Sequence, residues 1–96
     1  MDMLIVDAHE DVAWNALALD RDVCRSALDT RRLEEDGDAP RRYGRCTVGL
    51  PECLAGCVAV VFGTVFVTPA RQSFAKSQAY ANAEEAHRLG QAQLDV

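Results

Sequence analysis

The apolar run Cys57–Val67 constrains the fold of this chain more than any other stretch. Only Gly63 and Thr64 interrupt its apolar residues, which are rich in β-branched and aromatic side chains and do not alternate with polar ones. This pattern is typical of a strand buried on both faces, as in a parallel sheet covered by helices. A Thr-Pro pair follows the run and ends it. We therefore predict a strand over 57–67 and an α/β fold.

A shorter apolar segment, Leu4-Ile5-Val6, predicts a first strand over 3–8 that leads into Asp7-Ala8-His9-Glu10-Asp11. Side chains alternate along a strand, so His9 and Asp11 point to the same side, roughly 6.6 Å apart at about 3.3 Å per residue. Zinc accepts both imidazole and carboxylate ligands, and barrel enzymes place their chemistry at the carboxyl ends of parallel strands. The spacing predicts His9 and Asp11 as metal ligands. Alternatively, they are polar residues of a strand that is leaving the core.

The residues between the two strands, 12–49, are predicted to form a charged excursion of helix and loop. Helix formers over 12–19 indicate a short helix, and a second helix is predicted to begin at a Thr30 cap and to end at Gly37. The charges of this excursion are typical of a solvated face.

The last segment, 73–93, is rich in alanine and lacks proline, which predicts a helix that covers the sheet. His87 falls on this helix beside Glu84 and Glu85, and we expect it to be solvated. The element order is then β-α-β-α, and a right-handed crossover makes the two strands adjacent and parallel.

Composition excludes several classes of partner. The chain has 96 residues, is 49% hydrophobic and carries a net charge of -5 from 15 acidic and 10 basic residues. The acidic balance argues against nucleic acid and anionic membranes as partners. The sequence shows neither a signal peptide nor an apolar run of about 18 residues, so we expect no membrane segment and a chain that is cytoplasmic or has lost its leader.

Cysteine spacing argues against a structural zinc knuckle, because no Cys-x-x-Cys pair occurs. Free cysteine behaves as a small apolar residue, so reduced, mostly packing thiols are expected. A bridge between Cys53 and Cys57 stays open. The four cysteines are Cys24, Cys46, Cys53 and Cys57.

The segment Asp7-x-His9-x-Asp11 at the end of a first strand resembles the N-terminus of the peptidase M19 family, the membrane dipeptidase-like zinc enzymes of the amidohydrolase superfamily. The second strand and its approach continue the resemblance. Two positions depart from it, since Val61 stands where members often carry Gln and Gly63 where many carry Trp. These departures leave the substrate preference open. The matching positions are Pro51, Leu54, Ala55, Gly56, Phe62 and Thr64.

This resemblance implies that residues 1–96 are the N-terminal β-α-β-α portion of a single (β/α)₈ TIM barrel domain, which needs about 250 residues. It also implies that the parent hydrolyses dipeptides with two Zn²⁺ ions and a metal-bridging hydroxide. His9 and Asp11 would bind the first zinc. The bridging glutamate, two later histidines and the acid that handles the proton have no counterpart in residues 1–96. We therefore expect this fragment alone to be inactive and to hold no catalytic residue.

Two other interpretations stay open. One is a different metal-dependent hydrolase of the same superfamily, acting on a lactone or an amide. The other is a small, non-enzymatic α/β module in which His9 and Asp11 are merely hydrogen-bonded at a strand end. The sequence predicts neither the substrate-binding residues nor the oligomeric state.

Overall fold

Two strands that lie far apart in the sequence form the first sheet. The computed structural model describes residues 3–73 and 75–96. Strand β1 is Ile5–Glu10 and strand β2 is Val58–Gly63, and the two are hydrogen-bonded neighbours in a two-stranded sheet. β2 ends before the predicted residue 67, since β1 ends at Glu10 and offers no further partner.

The direction of the two strands follows from the hydrogen bonds at their ends. The Ile5 N–H donates to the Cys57 carbonyl at 2.9 Å, and the Thr64 N–H donates to the Glu10 carbonyl at 3.0 Å. Residue numbers rise together from the first pair to the second, so the strands are parallel. The predicted adjacency and direction are confirmed, and the mixed helix and strand content agrees with an α/β class.

The chain forms two compact units. The first unit comprises Arg21–Phe62 with the chain up to Ala8, and the second comprises His9–Asp20 and Gly63–Val96.

In the first unit, helix α2 is Ala27–Leu33, and Ser26 caps it by accepting a hydrogen bond from the Leu28 N–H at 3.2 Å. The prediction that Thr30 caps this helix is wrong, because Thr30 lies inside α2 and is buried. The Ser26 hydroxyl is itself held by the Glu52 carboxylate, so the helix begins one turn earlier than predicted.

Two short helices of the first unit were not predicted. Helix α3 is Ala39–Tyr43 and helix α4 is Leu50–Ala55. Each carries a proline in its first turn, Pro40 and Pro51, where the missing N–H has no partner within the helix anyway. The predicted excursion over 12–49 therefore includes a short helix, α3, after Gly37.

Gly49 allows the first turns of α2 and α4 to approach each other. A Cβ atom at Gly49 would lie 2.7 Å from both the Ala27 nitrogen and the Arg25 carbonyl oxygen, which are main-chain atoms. Such atoms cannot move aside as a flexible side chain can, so a glycine is required here for steric reasons.

In the second unit, helix α1 is Val12–Leu19, as predicted, and helix α5 is Ala83–Leu94. Strands β3, Thr68–Pro69, and β4, Ala79–Tyr80, form a short parallel pair. α1 packs against α5 and against the 3₁₀ turn Lys76–Gln78.

The start of α5 differs from the predicted helix over 73–93, of which position 74 lies outside the described residues. The Asn82 side chain accepts from the Glu85 N–H at 2.9 Å, and the Glu85 carboxylate accepts from the Ala81 N–H at 2.7 Å. These two hydrogen bonds, one at the N-cap and one at the residue before it, fix the helix start. The capping pattern Asn82-x-x-Glu85 was present in the sequence and was overlooked.

The apolar side chains of the two strands are largely exposed. Phe62 in β2 is 60% exposed, Val60 is 47% exposed, and Leu4 before β1 is 70% exposed. The burial on both faces that the sequence pattern is typical of is not reached in the described part of the chain, because a two-stranded sheet needs further layers to cover it. The buried apolar residues among those described are Ala27, Cys46, Ala75 and Leu89.

All four cysteines are free thiols, so the Cys53–Cys57 bridge is not formed. Only Cys46 is buried, and its thiol donates to the Val48 carbonyl at 3.3 Å. The packing role predicted for the cysteines thus applies to Cys46. Among the described helices, none has the length and apolar composition needed to cross a bilayer.

Candidate functional site

His9 and Asp11 converge at the carboxyl end of β1. His9 is the penultimate residue of the strand, and Asp11 follows the strand directly. The His9 Nε2 atom lies 3.3 Å from the Asp11 Oδ1 atom, and the side chains are 69% and 38% exposed. The predicted placement on one side is confirmed. Both side chains are accessible to an ion from solvent.

The Asp11 carboxylate does not cap helix α1, although Asp11 stands at the N-cap position. Asp11 is the N-cap of α1, a position where aspartate normally accepts a hydrogen bond from the first turn, yet its side chain makes no capping bond. Its carbonyl oxygen instead accepts from Asn15, through the backbone N–H at 3.0 Å and the side-chain amide at 2.9 Å. Forgoing the cap costs about 1 kcal/mol and leaves the carboxylate for other partners.

Thr64 is the partner of that carboxylate. Its hydroxyl donates to Asp11 Oδ1 and lies 3.2 Å from the Glu10 carbonyl, which also accepts the Thr64 N–H at 3.0 Å. Thr64 directly follows β2, so the parallel pairing places it beside the end of β1. His9, Asp11 and Thr64 therefore form one connected cluster.

The segment just after Thr64 is held by a glutamine from α5. The Phe66 N–H donates to Gln93 Oε1 at 2.8 Å, and Gln93 Nε2 donates to the Phe66 carbonyl at 2.5 Å and to Gln78 Oε1 at 3.0 Å. Gln93 is 3% exposed. The Phe66 ring also meets Trp14 edge-on, with 6.0 Å between ring centroids. These contacts fix the backbone two residues beyond Thr64.

The pair His9 and Asp11 fits a zinc ion in its donor atoms and spacing. A tetrahedral zinc with ligands at about 2.0–2.1 Å holds neighbouring ligand atoms about 3.3–3.4 Å apart. The observed Nε2–Oδ1 distance is 3.3 Å. A carboxylate oxygen has two lone pairs, so Oδ1 can accept from Thr64 and still coordinate a metal. Within residues 3–73 and 75–96, no group of three or more His, Cys, Asp or Glu residues could hold a metal.

Sequence reasoning found the His9–Asp11 pair but missed the residues that support it. Thr64 could have been found, because parallel pairing brings the polar residue after β2 next to the end of β1. The residue type does not mark Gln93 or Gln78 as buried, because glutamine is mostly exposed in folded proteins. His87 lies on α5 and is exposed, as expected.

Comparison of the chain with known proteins found no match. No family model matches the chain, and neither the curated proteins nor the solved structures include a significant match to it.

Proposed function

We propose that this chain supplies two metal ligands, His9 and Asp11, to the active site of a zinc-dependent dipeptidase. In this proposal β1 and β2 are the first two strands of a (β/α)₈ barrel, and further ligands come from residues outside 1–96. One observation carries the proposal: an imidazole nitrogen and a carboxylate oxygen lie 3.3 Å apart at the shared carboxyl end of two parallel strands.

The local chemistry supports this role for the two residues. Neutral His9 offers a nitrogen lone pair, and Asp11 brings a negative charge that an adjacent cation would compensate. The Asp11 side chain makes no capping hydrogen bond with α1, so the first turn of that helix does not occupy its carboxylate oxygens. When bound, zinc polarises a peptide carbonyl and activates water.

The exposed apolar side chains of the strands support the barrel part of the proposal. Phe62, Val60 and Val61 of β2 are 60%, 47% and 40% exposed. At roughly 1.5–3 kcal/mol for each large apolar side chain that is fully buried, covering them would release substantial free energy. Neighbouring strands and helices of a barrel would provide that cover.

A zinc titration followed by proton NMR tests the ligand assignment. The chain contains two histidines, His9 and His87, so each imidazole signal is assigned by a single substitution. We expect added Zn²⁺ to shift the His9 signal saturably while His87, exposed on α5, stays unchanged. His9→Ala and Asp11→Ala should abolish the saturable response because each removes one of two ligands.

His87→Ala is the matched control, since it removes an exposed histidine from a different helix and should leave zinc binding intact. Equal responses from the two histidines would contradict the assignment and favour a His9–Asp11 pair that is only hydrogen-bonded. The chain alone should not cleave a simple dipeptide, because a bimetal site needs more ligands than these two. Turnover that is lost in His9→Ala would show that the site is complete.

A further inference from the structure

We propose that Thr64 is a positioning residue, which holds the Asp11 carboxylate in the orientation that binds metal. This inference rests on the proposed function. It assigns a task to a side chain that touches a ligand without being a ligand itself.

The choice of acceptor by the Thr64 hydroxyl supports this role. A hydroxyl has one hydrogen, and two acceptors lie within reach, the Asp11 carboxylate and the Glu10 carbonyl at 3.2 Å. The Glu10 carbonyl already accepts the Thr64 backbone N–H at 3.0 Å. A charged acceptor forms the stronger hydrogen bond, so the Thr64 hydroxyl donates its hydrogen to Asp11 Oδ1.

Without this bond, the Asp11 carboxylate has a competing position. Asp11 is the N-cap of α1, and the N–H groups at the start of a helix, which have no acceptor within the helix itself, attract a carboxylate. A rotation of the side chain toward them would take Oδ1 away from His9 Nε2. The Thr64 hydroxyl thus favours the rotamer in which the two ligand atoms converge.

Thr64 can act in this way only if its own position is fixed. On one side the Thr64 N–H is bonded to Glu10, and on the other the backbone of Phe66 is bonded through both its N–H and its carbonyl to the buried Gln93. The hydroxyl is therefore presented from a backbone held at both ends. Partners of metal ligands that are held in this way typically contribute about 10–100-fold to metal affinity.

The test compares Zn²⁺ affinity, read from the His9 imidazole signal, across variants that differ by a hydroxyl group. Thr64→Val replaces the hydroxyl by a methyl group of similar size, and we expect about 10–100-fold weaker binding. Thr64→Ser keeps the hydroxyl and should keep the affinity. Thr68→Val is the matched control, because the Thr68 hydroxyl is buried and has no hydrogen-bond partner among the described residues.

A second pair of variants covers the case in which Thr64→Val does not fold. Thr64→Ser and Thr64→Ala also differ only in the hydroxyl, and the same loss of affinity is expected between them. Equal affinities within either folded pair, with saturable binding at His9 in the wild type, would overturn the role of Thr64 alone. Absence of saturable binding at His9 in the wild type would overturn the proposed function itself.

Discussion

Each of the two units contains a buried polar network, and the two networks differ in charge. In the first unit, the Arg21 guanidinium binds both carboxylate oxygens of Glu34, at 2.6 and 2.9 Å, and donates to the Gly44 carbonyl at 2.7 Å. In the second unit, neutral Gln93 binds the main chain of Phe66 and the side chain of Gln78.

The difference shows two ways to satisfy buried polar groups in a small unit. The Arg21–Glu34 pair joins the chain before α2 to the end of α2, and its side chains are only 8% and 12% exposed. The opposite charges compensate each other in a position where water solvates them poorly. Gln93 instead offers Phe66 one acceptor and one donor, as a neighbouring strand would. The main-chain hydrogen bonds of Phe66 are therefore formed with an uncharged side chain.

The largest effect is expected from Glu34→Gln in the first unit. This substitution keeps the size of the side chain but removes the negative charge that binds the buried Arg21 guanidinium in two places, and breaking a buried ion pair in this way typically costs about 3–5 kcal/mol of unfolding free energy. Urea denaturation measures the total loss. Hydrogen exchange should place the loss in amides of α2 and α3, not in those of α5.

Glu35→Gln is the control, because Glu35 is exposed next to Glu34 and its substitution should change stability by no more than about 0.5 kcal/mol. If Glu34→Gln lowered the unfolding free energy no more than this control does, the Arg21–Glu34 pair would not contribute the stability expected of a buried ion pair.

A smaller effect is expected from Gln93→Leu in the second unit. Leucine has a similar size but cannot bond the N–H and carbonyl of Phe66, and buried groups left unsatisfied cost about 1–3 kcal/mol. The faster amide exchange should appear at Phe66 and around Gln78. Gln91→Leu on the exposed side of α5 is the control for the change in helix composition.

A loss from Gln93→Leu larger than that from Glu34→Gln would break the comparison, since it would make the neutral network the more important one. If Gln93→Leu also weakened zinc binding at His9, the link from α5 through Phe66 to Thr64 would be supported.

Sequence reasoning reached the parts of this structure that depend on local pattern. Alternation along β1 put His9 and Asp11 on one side, and the helix formers after Asp11 predicted α1. The parallel pairing of β1 with β2 followed from the general handedness of crossovers. These features rest on geometry that every chain shares.

The parts that were missed depend on partners distant in sequence. Ser26 caps α2 instead of Thr30 partly because Glu52, in another helix, holds its hydroxyl. Gln93 can be buried because the N–H and the carbonyl of Phe66 form hydrogen bonds with its side-chain amide. The cover of β2 could not be predicted either, because an apolar sequence shows that a strand can be covered and does not show which residues cover it.

The smallest effect, and the one that depends on pH, is expected at Glu52 in the first unit. Hydrogen bonds from the Ser26 hydroxyl and then from the Ala27 N–H lower the pKa of the Glu52 carboxyl below its ordinary value of 4.5. The folded state therefore favours the deprotonated form more than the unfolded chain does. The stabilisation is complete above about pH 4.5 and is lost as pH falls through the lower folded pKa.

Thermal melts of wild type and Glu52→Gln between pH 7 and pH 3 measure this contribution. Because the variant carries no carboxylate at this position, the wild type should have the higher melting temperature at pH 7, and the difference should shrink as pH falls below about 4.5. Ser26→Ala should reduce the difference, since it removes the main cause of the lowered pKa. Glu84→Gln, an exposed carboxylate of the second unit, is the control.

The Gln93 network contains no titratable group, so amides near Phe66 should keep their protection from hydrogen exchange over the pH range where those of α2 lose it. Parallel losses at both places would mean that the two units unfold together and that the contrast between their networks has no energetic consequence.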